Sequence, residues 1–87
     1  MFVKIQKWEV SKTEDKTVTY KQMERETVYH VSTFQLSSNP ENQEMIAEMT
    51  LDNGNNEVYC FPWEKDTEVI EVYYMNDSGK TIDHLIY

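Results

Sequence analysis

The sequence predicts an α+β chain that is mainly antiparallel β: six to seven short strands in a curved sheet or small barrel, with one short helix near residues 40–47. Three observations carry this. Apolar residues recur mostly with period two. The two strongest turn signals, Asn53-Gly54 and Asn76-Asp77-Ser78-Gly79, each separate runs rich in β-branched and aromatic residues. Only one segment, Ser38-Asn39-Pro40-Glu41, has the chemistry of a helix start. The length, 87 residues, suits a single domain over 1–87, near the lower limit for a core without metal or disulfide staples. A core this small makes a homodimer an option.

The first strand is expected over Phe2–Val10, with Val3 and Ile5 on one face. Trp8 and Val10 fall on the other parity, which suggests a bulge near Lys7. Ser11–Lys16 is polar and reads as a turn. Thr17–Met23 and Glu26–Leu36 read as strands on their β-branched and aromatic content. In the helix signal, Ser38 or Asn39 caps, Pro40 takes the first helical position and Glu41 sits at the positive dipole end. Asn53-Gly54 competes with it by pairing Ala47–Asp52 with Asn55–Cys60. As a two-residue turn it sets Met49 opposite Val58 and Ala47 opposite Cys60. The apolar face is then Ala47, Met49, Leu51, Val58 and Cys60, and Glu48, Thr50, Asp52, Glu57 and Tyr59 face outward. A last hairpin joins Val69–Met75 to Lys80–Ile86, with Gly79 in the left-handed position.

Charge divides unevenly along the chain. Residues 1–43 hold six acids and six bases, whereas residues 44–87 hold ten acids against Lys65 and Lys80, so the whole net charge of −8 falls in the second half. Such a field attracts basic surfaces and repels nucleic acid and anionic membrane. Glu64, Asp66 and Glu68 alternate before the last hairpin. In extended chain, residues two apart lie roughly 7 Å apart, from a rise of about 3.4 Å per residue, a separation similar to that of consecutive phosphates on a nucleic-acid strand. With Glu48, Asp52, Glu57 and Glu71 they are the candidate partner-binding carboxylates. Trp63, beside Pro62 and Glu64, is a candidate aromatic anchor or a core residue. A solvated acidic face that only maintains solubility is the simpler alternative.

Catalytic signals are weak. Ser78-Gly79-Lys80-Thr81 resembles the end of a phosphate-binding loop, but Tyr74 stands where the first glycine belongs. His84 follows Asp83, and adjacent strand residues point to opposite faces. His30, on the parity of Val28, Phe34 and Leu36, reads as an inner-face histidine. Cys60, the single cysteine, reads as a small buried hydrophobe. No metal or other cofactor and no enzymatic activity are expected. Lys4, Lys7, Lys12, Lys16, Lys21 and Arg25 accompany Trp8 and Tyr20, but the acids of the same half cancel them; they read as guards of strand edges rather than a nucleic-acid surface. With no apolar run at the N-terminus long enough for a signal peptide or membrane span, a cytoplasmic protein is expected.

In size, acidity, lack of a catalytic motif and Asn/Lys/Glu-rich composition, the whole chain resembles small inhibitor proteins of bacteriophages, most of all the DNA-mimic kind. The resemblance implies a non-enzymatic inhibitor acting in the host cytoplasm. Its partner would be a basic DNA-binding protein of the host, such as a nucleoid-associated protein, RNA polymerase or a defence nuclease. Surface carboxylates would fill the site that phosphates otherwise occupy. The alternative is a small homodimeric assembly domain that uses exposed strands and aromatics.

Overall fold

A computed structural model describes residues 1–23 and 26–87. Seven strands succeed one another: β1 (Phe2–Lys12), β2 (Val18–Gln22), β3 (Thr27–Asn39), β4 (Glu44–Leu51), β5 (Asn56–Pro62), β6 (Glu68–Met75) and β7 (Thr81–Ile86). All pairings are antiparallel, in the order β5-β4-β3-β1-β6-β7, with β2 beside the C-terminal part of β1. The sheet stays open between β5 and β7, so the small barrel anticipated from the sequence does not form.

The long strand β3 bends the sheet. Its first residues pair with β1, from Ile5↔Thr27 to Phe2↔His30, and the remainder pairs with β4 from Val31↔Leu51 to Asn39↔Glu44. A β1 half (β2, β1, β6, β7 and the start of β3) thereby faces a β4 half (the rest of β3, β4 and β5). The core lies between them. Val3, Ile70 and Val72 come from the β1 half, and Met45, Ala47 and Met49 from the β4 half. Val31 sits at the junction, and Trp63 follows β5. Each fully buried aliphatic side chain contributes roughly 1.5–3 kcal/mol. Phe34 meets Tyr74 edge-to-face across the interior at 5.9 Å between centroids. Lys7 Nζ donates to the Pro62 carbonyl (2.6 Å), another tie between the halves.

Four local expectations are corrected, each for a reason of backbone geometry. Pro40–Asn42 makes one 3-10 turn, not a helix over 40–47, because Gln43 enters the left-handed region (φ 52°) and Glu44 begins β4. Period two wins there: Met45, Ala47 and Met49 are buried, and a helical stripe of Met45, Ile46 and Met49 would have left Ala47 outside. The architecture is therefore antiparallel β without an α-helix among the described residues.

The second correction concerns the β4–β5 turn. Gly54 N–H donates to the Leu51 carbonyl and Leu51 N–H to the Asn55 carbonyl, while Gly54 adopts φ 89°. This is a three-residue loop, a type I turn closed by a left-handed glycine. It shifts the register by one residue, to Met49↔Glu57 and Ala47↔Tyr59. Every β5 side chain changes face. Glu57, Tyr59 and Phe61 take the inner parity, although Tyr59 stays 41% exposed, and Val58 and Cys60 are exposed on the other. The β6–β7 turn is built alike, with Gly79 at φ 85° and the Asn76 side chain accepting from the Ser78 and Lys80 backbone N–H groups.

Third, a β-bulge between Val31 and Thr33 reverses parity within β3. Tyr29 and Val31, then Phe34 and Leu36, all turn inward, which leaves His30 exposed on the outer face. Fourth, β1 needs no bulge near Lys7. Its register with β6 is unbroken from Phe2↔Met75 to Glu9↔Glu68, and the irregularity falls on its other edge, where the partner changes from β3 to β2. Of the expected edge cations, Arg25 lies outside the described residues.

Ile70→Ala should lower stability by about 2–5 kcal/mol in urea titrations, as a fully buried aliphatic deletion does. Ile82→Ala, on the exposed edge strand, should change it by less than about 0.5 kcal/mol. Gly54→Ala has open space around its new methyl group and should still cost about 1–3 kcal/mol through positive φ.

Candidate functional site

Residues 31–62, which build the β4 half, include Glu41, Glu44, Glu48, Asp52 and Glu57 and not one Lys, Arg or His. Alternation along β4 sends Glu44, Ile46, Glu48 and Thr50 to the solvent side. Neighbouring positions on that side are Thr33, Gln35 and Ser37 of β3 and Asn56, Val58 and Cys60 of β5, in rows such as Gln35–Glu48–Val58. The result is a polar face with two carboxylates on one strand, hydroxyl and amide groups around them, and an exposed Val58. Glu57, on the opposite parity, is half-buried beside Met49. Asp52, at the turn, holds His30 Nε2 at 2.7 Å, and His30 stacks on Phe2 with 4.3 Å between ring centroids.

The expected row Glu64, Asp66, Glu68 does not exist as an extended ladder. The Glu64 carbonyl accepts the N–H groups of Thr67 and Glu68, so the chain turns there. The Glu68 carboxylate folds back to accept the Glu64 N–H (2.6 Å) and pairs with Lys7 at 3.3 Å, both side chains nearly buried. Glu64 and Asp66 remain exposed on the turn. Trp63 is buried, 6% exposed, and its indole N–H donates to the Glu68 carbonyl (3.2 Å); it is a core residue that fixes this turn.

Glu71 belongs to the outer face of the β1 half. There it accepts from Trp8 Nε1 at 3.3 Å and lies 3.0 Å from His84 Nε2. His84 stacks on Tyr73 with centroids 4.2 Å apart, and Lys4 Nζ stands 4.6 Å above the same Tyr73 ring. Burial opposes ionisation of Glu71. Hydrogen bonds from Tyr73, Trp8 and His84, together with the His84 charge, outweigh it and hold the carboxyl below its usual range. The bond to Glu71 is also the main reason the Tyr73 phenol is raised. Asp83 and His84 occupy opposite faces of β7, as adjacent strand residues must. Among the described residues, no three or more His, Cys, Asp or Glu side chains are grouped to hold a metal ion, and no helix is long and apolar enough to cross a membrane.

The seven carboxylates singled out from sequence are therefore dispersed. Glu48 joins a solvent face, Asp52, Glu68 and Glu71 are engaged with cations or donors, Glu57 turns inward, and Glu64 and Asp66 sit on a turn. Glu44 shares the solvent side of β4 with Glu48; the sequence sets it outward with Glu41 and Glu48 if 40–49 is helical, but it is not among the carboxylates singled out for partner binding. The signal for it was present in the cation-free stretch from Val31 to Pro62.

No protein-family model, curated protein or solved structure matches the chain.

Because Glu71 ionises more readily in the folded chain, it stabilises the fold above the ordinary carboxylate value, about 4.3, and that contribution is lost as pH falls through its lowered folded value. The difference in Tm between the wild-type chain and Glu71→Gln should thus be largest at pH 6 and shrink toward zero in strong acid. A difference that stays constant on acidification would remove this assignment.

Proposed function

We propose that the chain is a non-enzymatic acidic binding domain that occupies a basic protein surface through the solvent side of its β4 half. One observation carries the reading: a continuous structural unit, residues 31–62, has five carboxylates and no basic side chain. Long-range attraction would steer a cationic partner to this half, since residues 31–62 hold no Lys, Arg or His. Thr33, Gln35, Thr50 and Asn56 could then satisfy polar groups of the partner at close range. Surfaces that bind nucleic acid are built from Lys and Arg, so the favoured partner class is a basic nucleic-acid-binding protein, with the carboxylates of this face standing where phosphates otherwise lie. Relative to the sequence reading, the proposed seat moves from the Glu64–Glu68 segment to Glu44 and Glu48.

A second reading, assembly with another copy, has one observation in its favour. Strand β7 ends the sheet, and Ile82, Leu85 and Ile86 on it are 59%, 39% and 65% exposed. Ile70 and Tyr87 exchange both backbone hydrogen bonds, so the alternation of an antiparallel ladder leaves the N–H and C=O of His84 and Ile86 pointing away from β6. A two-fold pairing about His84 would set Ile82 against Ile86 of the second copy. Exposed apolar edges of this kind favour strand addition.

Captured from bacterial lysate at low salt, the partner should be released by raised salt and displaced by duplex DNA. The double variant Glu44→Lys, Glu48→Lys should bind it about tenfold or more weakly, roughly 1.4 kcal/mol, with a shallower salt dependence and an unchanged Tm. Equal binding and equal salt slope would refute this seat. For the second reading, sedimentation should show a dimer that Ile82→Lys converts to monomer; a wild-type monomer at high concentration would exclude it.

A further inference from the structure

The outer face of the β1 half contains a hollow of about 400 Å³, lined by Trp8, Tyr20, Val69, Glu71 and Ile86. The strand order explains its composition. Trp8 of β1 stands beside Val69 of β6, Glu71 two residues further along β6 stands beside Ile86 of β7, and Tyr20 of β2 lies opposite Val10 of β1. Two aromatic rings and two aliphatic side chains thus surround a single carboxylate. Tyr20 and Ile86 are 62% and 65% exposed, an apolar area left open to water, while the Glu71 side chain is only 20% exposed.

That carboxylate is oriented in advance. Trp8 Nε1 bonds Oε1, His84 Nε2 bonds Oε2, and the Tyr73 hydroxyl donates to the same carboxylate. An ionised carboxylate has about four lone-pair sites, so with three donors engaged it retains capacity for one more. A charge with apolar neighbours is poorly solvated, and a cation brought to it recovers that loss. Aromatic faces attract cations as well, and a planar guanidinium both stacks on an indole and forks onto a carboxylate. A hollow with apolar sides and one anionic end matches a side chain with an alkyl stem and a cationic head.

We propose that this hollow is a binding site for an arginine side chain of a partner protein, its stem against Val69 and Ile86, its guanidinium between the Trp8 and Tyr20 rings and at Glu71. The inference deepens the acidic-binder reading by giving the basic partner one anchoring residue, and rests on that reading only for the partner being basic. It lies on the opposite half from Glu44 and Glu48, so the two sites fail or succeed separately.

The test is a titration of the full ¹⁵N-labelled chain with Nα-acetyl-arginine methylamide, followed by NMR. Trp8 lines the hollow and Trp63 is buried in the core, so their two indole N–H resonances give a reporter and an internal reference for the fold. The Trp8 resonance should move saturably in the millimolar range while that of Trp63 stays fixed. The isosteric neutral citrulline derivative should leave both in place. Glu71→Gln should weaken binding about tenfold, the scale of one charge-assisted hydrogen bond. Tyr20→Ala, on an exposed strand, should weaken it too and serves as the independent variant if Glu71→Gln perturbs Trp63. A Trp8 resonance that does not move, an equal response to citrulline, or undiminished binding by both variants would overturn the proposal. Equal affinity for the lysine derivative would overturn the choice of arginine. If arginine binds here while the Glu44→Lys, Glu48→Lys variant still captures the partner unchanged, the hollow stands and the acidic face falls; the reverse pair of results spares the face alone.

Discussion

Side-chain parity is the constraint on which this fold depends. A β-strand that gains one residue turns every later side chain to its other face, and the chain uses that rule twice to decide what is buried. The bulge between Val31 and Thr33 lets a single strand present Tyr29, Val31, Phe34 and Leu36 to the same interior, although their spacing in the sequence breaks alternation. The left-handed Gly54 then sets β5 one residue out of step with a two-residue turn, bringing Tyr59 and Phe61 to the inner side of β4. Tyr59 stacks on Tyr29 at 5.7 Å as a result, joining β5 to the start of β3. Without these two irregularities the halves would meet with Val58, Cys60 and His30 in place of aromatic surface.

Electrostatics follow from the same sorting. Among the described residues, the lysines sit on β1, β2 and the turns, and the β4 half has no Lys, Arg or His of its own. Where the halves touch, side chains of the β1 half serve the other: Lys7 caps the Pro62 carbonyl at the end of β5, and His30 reaches Asp52 at the β4–β5 turn. Partly buried pairs such as Lys7–Glu68 are held by hydrogen bonds to backbone on both sides, which fixes the Glu64–Glu68 turn and packs Trp63 beneath it. What remains on the solvent side of β4 is unbalanced negative charge among neutral polar groups. Acidity in this chain is thus partly structural and partly free, and only the free part is available to a partner.

Much of the strand layout was legible in the sequence. Period two, the β-branched runs and the two Asn/Gly turns locate all seven strands to within a few residues. Faces were harder to read than strands. Asn53-Gly54 signals a turn but not whether two or three residues close it, and that one residue decides the side of Glu57 and Cys60. The bulge in β3 has no local signature; its consequence is long-range, turning Phe34 inward to meet Tyr74. Ser38-Asn39-Pro40 is good helix-start chemistry, yet Asn39 makes no side-chain capping bond, and the signal is overridden because Met45, Ala47 and Met49 bury more apolar area in a strand. The carboxylate row at 64–68 was misread because alternation was taken for extension, and the Glu64 carbonyl instead closes a turn. The aromatic hollow at Trp8, Tyr20 and Glu71 joins three strands distant in sequence, which no local pattern could announce.

The thiol of Cys60 reports on parity most directly. With the three-residue turn at Gly54, Cys60 faces solvent, and in native buffer a disulfide reagent such as Ellman's should modify it at a rate close to that of the urea-unfolded chain. Protection by a large factor, relieved only on unfolding, would place Cys60 inside. That result would restore the two-residue register, turn Glu57 outward and contradict the arrangement of faces on which the account rests.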